Sequence, residues 1–97
     1  MSAKFENNNL IVLNPVSKEE LKTIPISSNE DVNKIIKKSN LDNSWSLLSV
    51  SKRASLIKVF RKALAKNKIS IQNVIKSETG KIDFDITIEI FTSLDHL

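Results

Sequence analysis

Two ionisable side chains stand where the surrounding pattern is apolar. Arg53 falls on the apolar arc of a helical repeat, between Phe60 and Leu64, and Glu78 lies on the apolar stripe of the segment that follows. Burying either charge alone is costly, so their placement predicts a partnered pair, Arg53 with Glu78 and with Glu89 as the fallback. Such a pair can orient a substrate or move a proton, but catalysis also needs a nucleophile or metal ligands nearby. The sequence has no cysteine, hence no thiolate nucleophile, no disulfide and no cysteine-bound metal. The one histidine, His96, falls short of a zinc site built from two or three imidazoles. The one glycine, Gly80, falls short of a phosphate-cradling loop, which needs bare backbone at several positions. A structural role is therefore expected for the pair, and no catalytic, cofactor-binding or metal residue is assigned.

The net charge of +4 is unevenly spread. Residues 1–50 are neutral, residues 51–81 carry nine cations against Glu78 alone, and residues 82–97 carry four acids and no Lys or Arg. A basic block raises the question of nucleic acid or another anionic partner. Thirteen of the 15 cations are lysines and tyrosine is absent, whereas base readout favours arginine and stacking favours interleaved aromatics. A solvated lysine face is the expected meaning; a small basic helical module binding an anionic partner or nucleic acid is the alternative. No apolar run is long enough to cross a bilayer, and residues 1–9 lack the apolar centre of a secretory signal. Cytoplasmic residence with no membrane partner is the default expectation.

The elements that would position these residues follow from pattern. Residues 1–9 read as a disordered tail and residues 10–97 as one unit. Leu10–Leu13 and Lys22–Ile26 are short β-rich runs separated by a turn at Asn14-Pro15, which together predict a two-strand hairpin with Pro25 at an edge. Ser27 and Glu30 have capping-box spacing before a helix with Val32, Ile35 and Ile36 on one face. Trp45 reads as a core anchor. Ser49 or Ser51 caps the strongest helix, running to about Asn67 or Lys68, and a third spans roughly Ile69 to Thr79 with Gly80 ending it. Ile82 to Ile90 alternates with period two, a strand signal, while Ile82, Ile86, Ile90, Leu94 and Leu97 also share a helical side.

In order along the chain stand Leu13-Asn14-Pro15, Ile24-Pro25-Ile26, Glu30-Asp31-Val32, Trp45, Lys52-Arg53 before Leu56, and Leu64. They are followed by Glu78-Thr79-Gly80-Lys81 and by Glu89 eight residues on. This series resembles the N-terminal segment of NAD(P)-dependent aldehyde dehydrogenases across about residues 10–92. Lys52, where the family commonly has an acid, and Ile82, where it commonly has proline, depart from the pattern. So do Phe84, Ile86 and Ile88, where the family's helix turns commonly hold small residues.

The resemblance implies helix for residues 83–97, against the local strand signal. It implies an α/β family in which this segment is mostly helical, three to four helices with an N-terminal two-strand hairpin. The segment would be the outer part of a coenzyme-binding domain, lacking the main nucleotide-binding strands and the catalytic domain. It further implies NAD or NADP for the full-length protein and chemistry by a cysteine, a glutamate base and an asparagine, all outside the matched region. The expectation is an oxidoreductase fragment acting on aldehydes only by kinship, inactive and binding no coenzyme as this chain alone. Association with itself, with the missing domains or with a dehydrogenase homologue, as a non-catalytic subunit, is the expected partnership.

Overall fold

In the computed structural model, which describes residues 2–97, three strands precede four helices. The strands are β1 (Ser2–Glu6), β2 (Asn9–Leu13) and β3 (Glu20–Pro25). The helices are α1 (Asn29–Leu41), α2 (Val50–Lys66), α3 (Lys68–Thr79) and α4 (Asp83–Asp95). The strands form one antiparallel sheet in the order β1-β2-β3. Residues 2–6, expected in a disordered tail over 1–9, are thus a paired strand; Met1 lies outside the described residues. The cause is the Asn7-Asn8 pair, with φ of 48° and 61°. Asparagine tolerates this left-handed region better than most residues, and two such residues make the turn whose twist matches a hairpin. The turn sets Glu6 opposite Asn9 and Ala3 opposite Val12. The expected two-strand hairpin therefore gains a third strand, and Pro25 does sit on an edge strand.

Between β2 and β3 the Asn14 side chain organises the turn, its Oδ1 accepting from the backbone N–H of Val16 at 2.8 Å and of Ser17 at 3.1 Å. This is the local side-chain turn for which asparagine is favoured. In α1 the capping box is Ser28 with Asp31, one residue beyond the expected Ser27 with Glu30. The Ser-x-x-acid pattern occurs twice in adjacent registers. The backbone N–H of Ile26 still bonds to Asn8 at 3.0 Å, holding the chain to the sheet just before the helix starts. Ser49 caps α2 as expected, accepting from the Lys52 N–H at 3.2 Å.

Gly80 ends α3 with φ 68° and donates its N–H to the Lys76 carbonyl at 2.9 Å. A Cβ there would lie 3.1 Å from Val16 and 3.3 Å from Pro15, so the helix end rests directly on the β2–β3 turn. The next segment is helix, as the family resemblance implied and the local alternation did not. Tertiary packing decides this conflict. As a helix, α4 places Ile86 and Ile90 one turn apart on a single side against α3 and α2, and both are buried.

The helices form a layer rather than a globule. The radius of gyration is 17.6 Å against about 13 Å for a compact chain of this length. The molecule measures 47 × 40 × 15 Å, and 15 Å is little more than one helix with its side chains, about 10–12 Å. Its accessible surface of 7906 Å² exceeds the ~5,600 Å² of a compact protein of equal mass by roughly 2,300 Å². Among the described residues only Ile11, Val12, Ile86 and Ile90 are buried apolar side chains. Trp45, expected as a core anchor, is 46% exposed because no second layer lies over it, and α1 buries no residue at all.

Replacing Gly80 by alanine should destabilise the fold by about 1–2 kcal/mol, since a Cβ is disfavoured at positive φ and also crowds Val16 and Pro15. Urea denaturation followed by far-UV circular dichroism measures this directly. Equal midpoints for the variant and the parent would refute it.

Candidate functional site

The densest side-chain interactions gather where α3 turns into α4. The Thr79 hydroxyl, capping the last turn, donates to the Ile75 carbonyl at 2.6 Å and accepts from the Lys81 N–H at 3.3 Å. Lys76 Nζ bonds both carboxylate oxygens of Asp83, at 2.9 and 3.1 Å, tying the end of α3 to the start of α4. The negative charge of Asp83 also suits a helix N-terminus. Lys81 pairs with Glu89 two turns along α4, and Gln72 Nε2 donates to Thr87 Oγ1 at 3.1 Å. The signal for Lys81 with Glu89 was their eight-residue interval; Lys76 with Asp83 and Gln72 with Thr87 carried none, since they depend on how two helices cross. These pairs are largely solvated and each contributes about 0–1 kcal/mol.

Arg53 and Glu78 do not meet. Both are half-buried, neither forms an ion pair, and Glu89, the fallback partner, is taken by Lys81. The thinness of the helical layer explains the discrepancy. On a slab open on both sides each charge reaches water beside the apolar arc, and burial no longer forces a pairing.

Between α2, α3 and α4 lies an open cleft of about 140 Å³ lined by Leu64, Ile71, Ile75, Glu89, Ile90 and Ser93. Its walls are aliphatic. Glu89 is its one ionisable group, and that carboxylate is engaged by Lys81. Among the described residues no group of three His, Asp or Glu side chains is placed to hold a metal ion.

Asp31 is held below the usual carboxylate range, first by the Ser28 hydroxyl, which donates to it at 2.7 Å, and then by the Ser28 backbone N–H at 3.0 Å. Asp42 is lowered in the same manner by the Ser44 hydroxyl and N–H. Lys4 is raised by its bond to Glu20 across the sheet and by Glu6.

A dinucleotide is held where glycine-bearing backbone meets a helix N-terminus at the end of parallel strands. The sheet here is antiparallel throughout. Gly80 stands at the C-terminal end of α3, where exposed carbonyls repel phosphate, and its open side is filled by Val16 and Pro15. Among the described residues no helix is long and apolar enough to cross a membrane.

The chain is thus a helical layer with a small leading sheet and an aliphatic cleft. Its membership is plain from comparison: residues 3–97 match the aldehyde dehydrogenase family, and the chain belongs to that family. It is 34% identical over 71 residues to malonate-semialdehyde dehydrogenase of Bacillus velezensis, an overlap that covers 72% of this chain and 15% of that protein. The malonate-semialdehyde dehydrogenase of Bacillus subtilis strain 168 is 32% identical over the same extent. A putative succinate-semialdehyde dehydrogenase [NADP(+)] of Mycolicibacterium smegmatis is 36% identical over 63 residues, 64% of this chain and 12% of the relative. The matched stretch thus spans about an eighth to a seventh of these relatives, consistent with an N-terminal dehydrogenase segment. No solved structure matches significantly.

The Asp31 cap predicts acid sensitivity of α1. Its folded-state pKa lies below the unfolded 3.8, so its contribution is complete above that pH and is lost as pH falls through the folded value. Amide protection in the first turn of α1 should fall below pH ~3.8 in the parent, whereas Asp31→Asn should show reduced protection already at neutral pH. Identical protection in the two proteins at neutral pH would exclude the cap as the cause.

Proposed function

We propose that this chain is the outer portion of the coenzyme-binding domain of an aldehyde-oxidising dehydrogenase that uses NAD or NADP. The 97 residues by themselves carry out no turnover. The observation that supports this reading most directly is the unpartnered aliphatic side of the helical layer. Leu56 and Phe60 lie exposed on α2, beside the cleft formed by Leu64, Ile71 and Ile75. A helix face of this kind is built to lie on another layer, as helices do on the faces of a nucleotide-binding sheet.

The role of these residues is then mechanical. Helices α2, α3 and α4 exclude water from the far side of the sheet they cover, and Gly80, seated on Pro15 and Val16, fixes the angle between helical layer and leading strands. The coenzyme supplies hydride acceptance when bound to the complete protein. The relatives' names point to a short aldehyde bearing a carboxylate, of the malonate or succinate semialdehyde type.

Two measurements test this. The purified chain, given either semialdehyde with NAD or NADP, should produce no reduced coenzyme above the protein-free rate. A chimera in which these residues replace the matched stretch of the Bacillus velezensis enzyme should fold and oxidise malonate semialdehyde. Turnover by the isolated chain, or a chimera that folds yet is inactive, would defeat the proposal.

A further inference from the structure

The two sides of the helical layer differ in kind. Glu89 and Phe91 are two residues apart on α4, about 200° around the helix. Glu89 opens onto the aliphatic cleft, and Phe91 opens onto the opposite side. There, Lys58, Arg61 and Lys62 of α2 surround Ala65 in a depression of about 390 Å³. Beside it a second depression, of about 190 Å³, shares Arg61 and Ala65 and is completed by Phe91, Leu94 and Asp95 of α4. Phe84 and Ile88 continue the Phe91 stripe at helical spacing, and Phe84 and Phe91 are 70% and 69% exposed. The five ion pairs among the described residues use none of Lys58, Arg61, Lys62, Asp85 and Asp95.

We propose that this side is the contact between two copies of the chain, related by a two-fold axis. The Phe84–Ile88–Phe91 stripe and Asp95 of each copy lie on the Lys58–Arg61–Lys62 patch of the other. The argument is complementarity. A cationic patch and an aromatic-acidic patch share one surface, so the surface fits a rotated copy of itself and each patch is used once. Arginine and phenylalanine are the residues that anchor interfaces, and a phenyl ring can stack on the Arg61 guanidinium. The chain exposes roughly 2,300 Å² beyond a compact protein of its mass, while a standard interface takes about 800 Å² from each partner. A nucleic acid would satisfy only the lysines and arginine, would be repelled by Asp95, and would leave the phenylalanines in water. The inference rests on this chain's own charges, independently of the dehydrogenase reading, and it leaves the aliphatic side around Leu56 and Phe60 free.

Sedimentation velocity on the 97-residue chain should show one species of twice the 10.9 kDa chain mass. Its dissociation should be about tenfold easier at ~0.5 M than at ~0.05 M salt. Arg61→Glu and Asp95→Arg should each give a monomer with unchanged helical circular dichroism, and the two together should restore the dimer through the exchanged pair. A further readout needs no variant. Carbodiimide crosslinks between ¹⁴N- and ¹⁵N-labelled copies should join Lys58 or Lys62 to Asp95. A parent monomer, polydisperse aggregates, dimers that persist in both single variants, or crosslinks confined to other residues would each overturn the proposal.

Discussion

Burial in the helical layer runs through a single line of contacts, Ile86 and Ile90 of α4 against α3 and α2, because a body 15 Å thick has room for little else. Hydrophobic stabilisation scales with apolar area removed from water, about 25 cal/mol per Å². A slab of helices leaves most of each apolar face wet, so the layer stays in place through short-range devices. These are the Ser28–Asp31 box, the Ser49 cap, the left-handed Gly80 and the Lys76–Asp83 tie. Each is local in sequence and none requires an interior.

The same constraint governs the charges. In a closed core Arg53 and Glu78 would have to find each other or remain unpaired at high cost. Here both reach water, and the pairs that form, Lys81 with Glu89 and Lys76 with Asp83, join groups already solvated at a corner. Lys58, Arg61 and Lys62 of α2 face outward and form no ion pair among the described residues. Exposed charge of this kind contributes little to how the chain folds.

The chain belongs to the aldehyde dehydrogenase family, and in the function proposed above its exposed aliphatic surface lies against a sheet. The chemistry that defines such enzymes needs a nucleophile and a coenzyme turn. This chain's one glycine lies instead at the wrong end of a helix for phosphate, packed against Pro15 and Val16.

By itself, the sequence determined the features whose physics is local. The Ser49 cap, the extent of α2, the end of α3 at Gly80 and the edge position of Pro25 were all legible from residue type and spacing. The first hairpin is carried by a turn pair, Asn7-Asn8, while the strand before it, Ser2–Glu6, is short and polar and gives little β signal of its own. The capping register was ambiguous, since two Ser-x-x-acid frames overlap and only the pairing of Ile26 with the sheet separates them. Tertiary structure alone decided the rest. Ile82 to Ile90 satisfies both a strand and a helix pattern, and becomes α4 because only a helix sets Ile86 and Ile90 on one side against α3 and α2. Trp45 stays half exposed and Arg53 unpaired for a complementary reason. Burial is a property of what lies across from a residue, and no pattern along the chain records whether anything lies there.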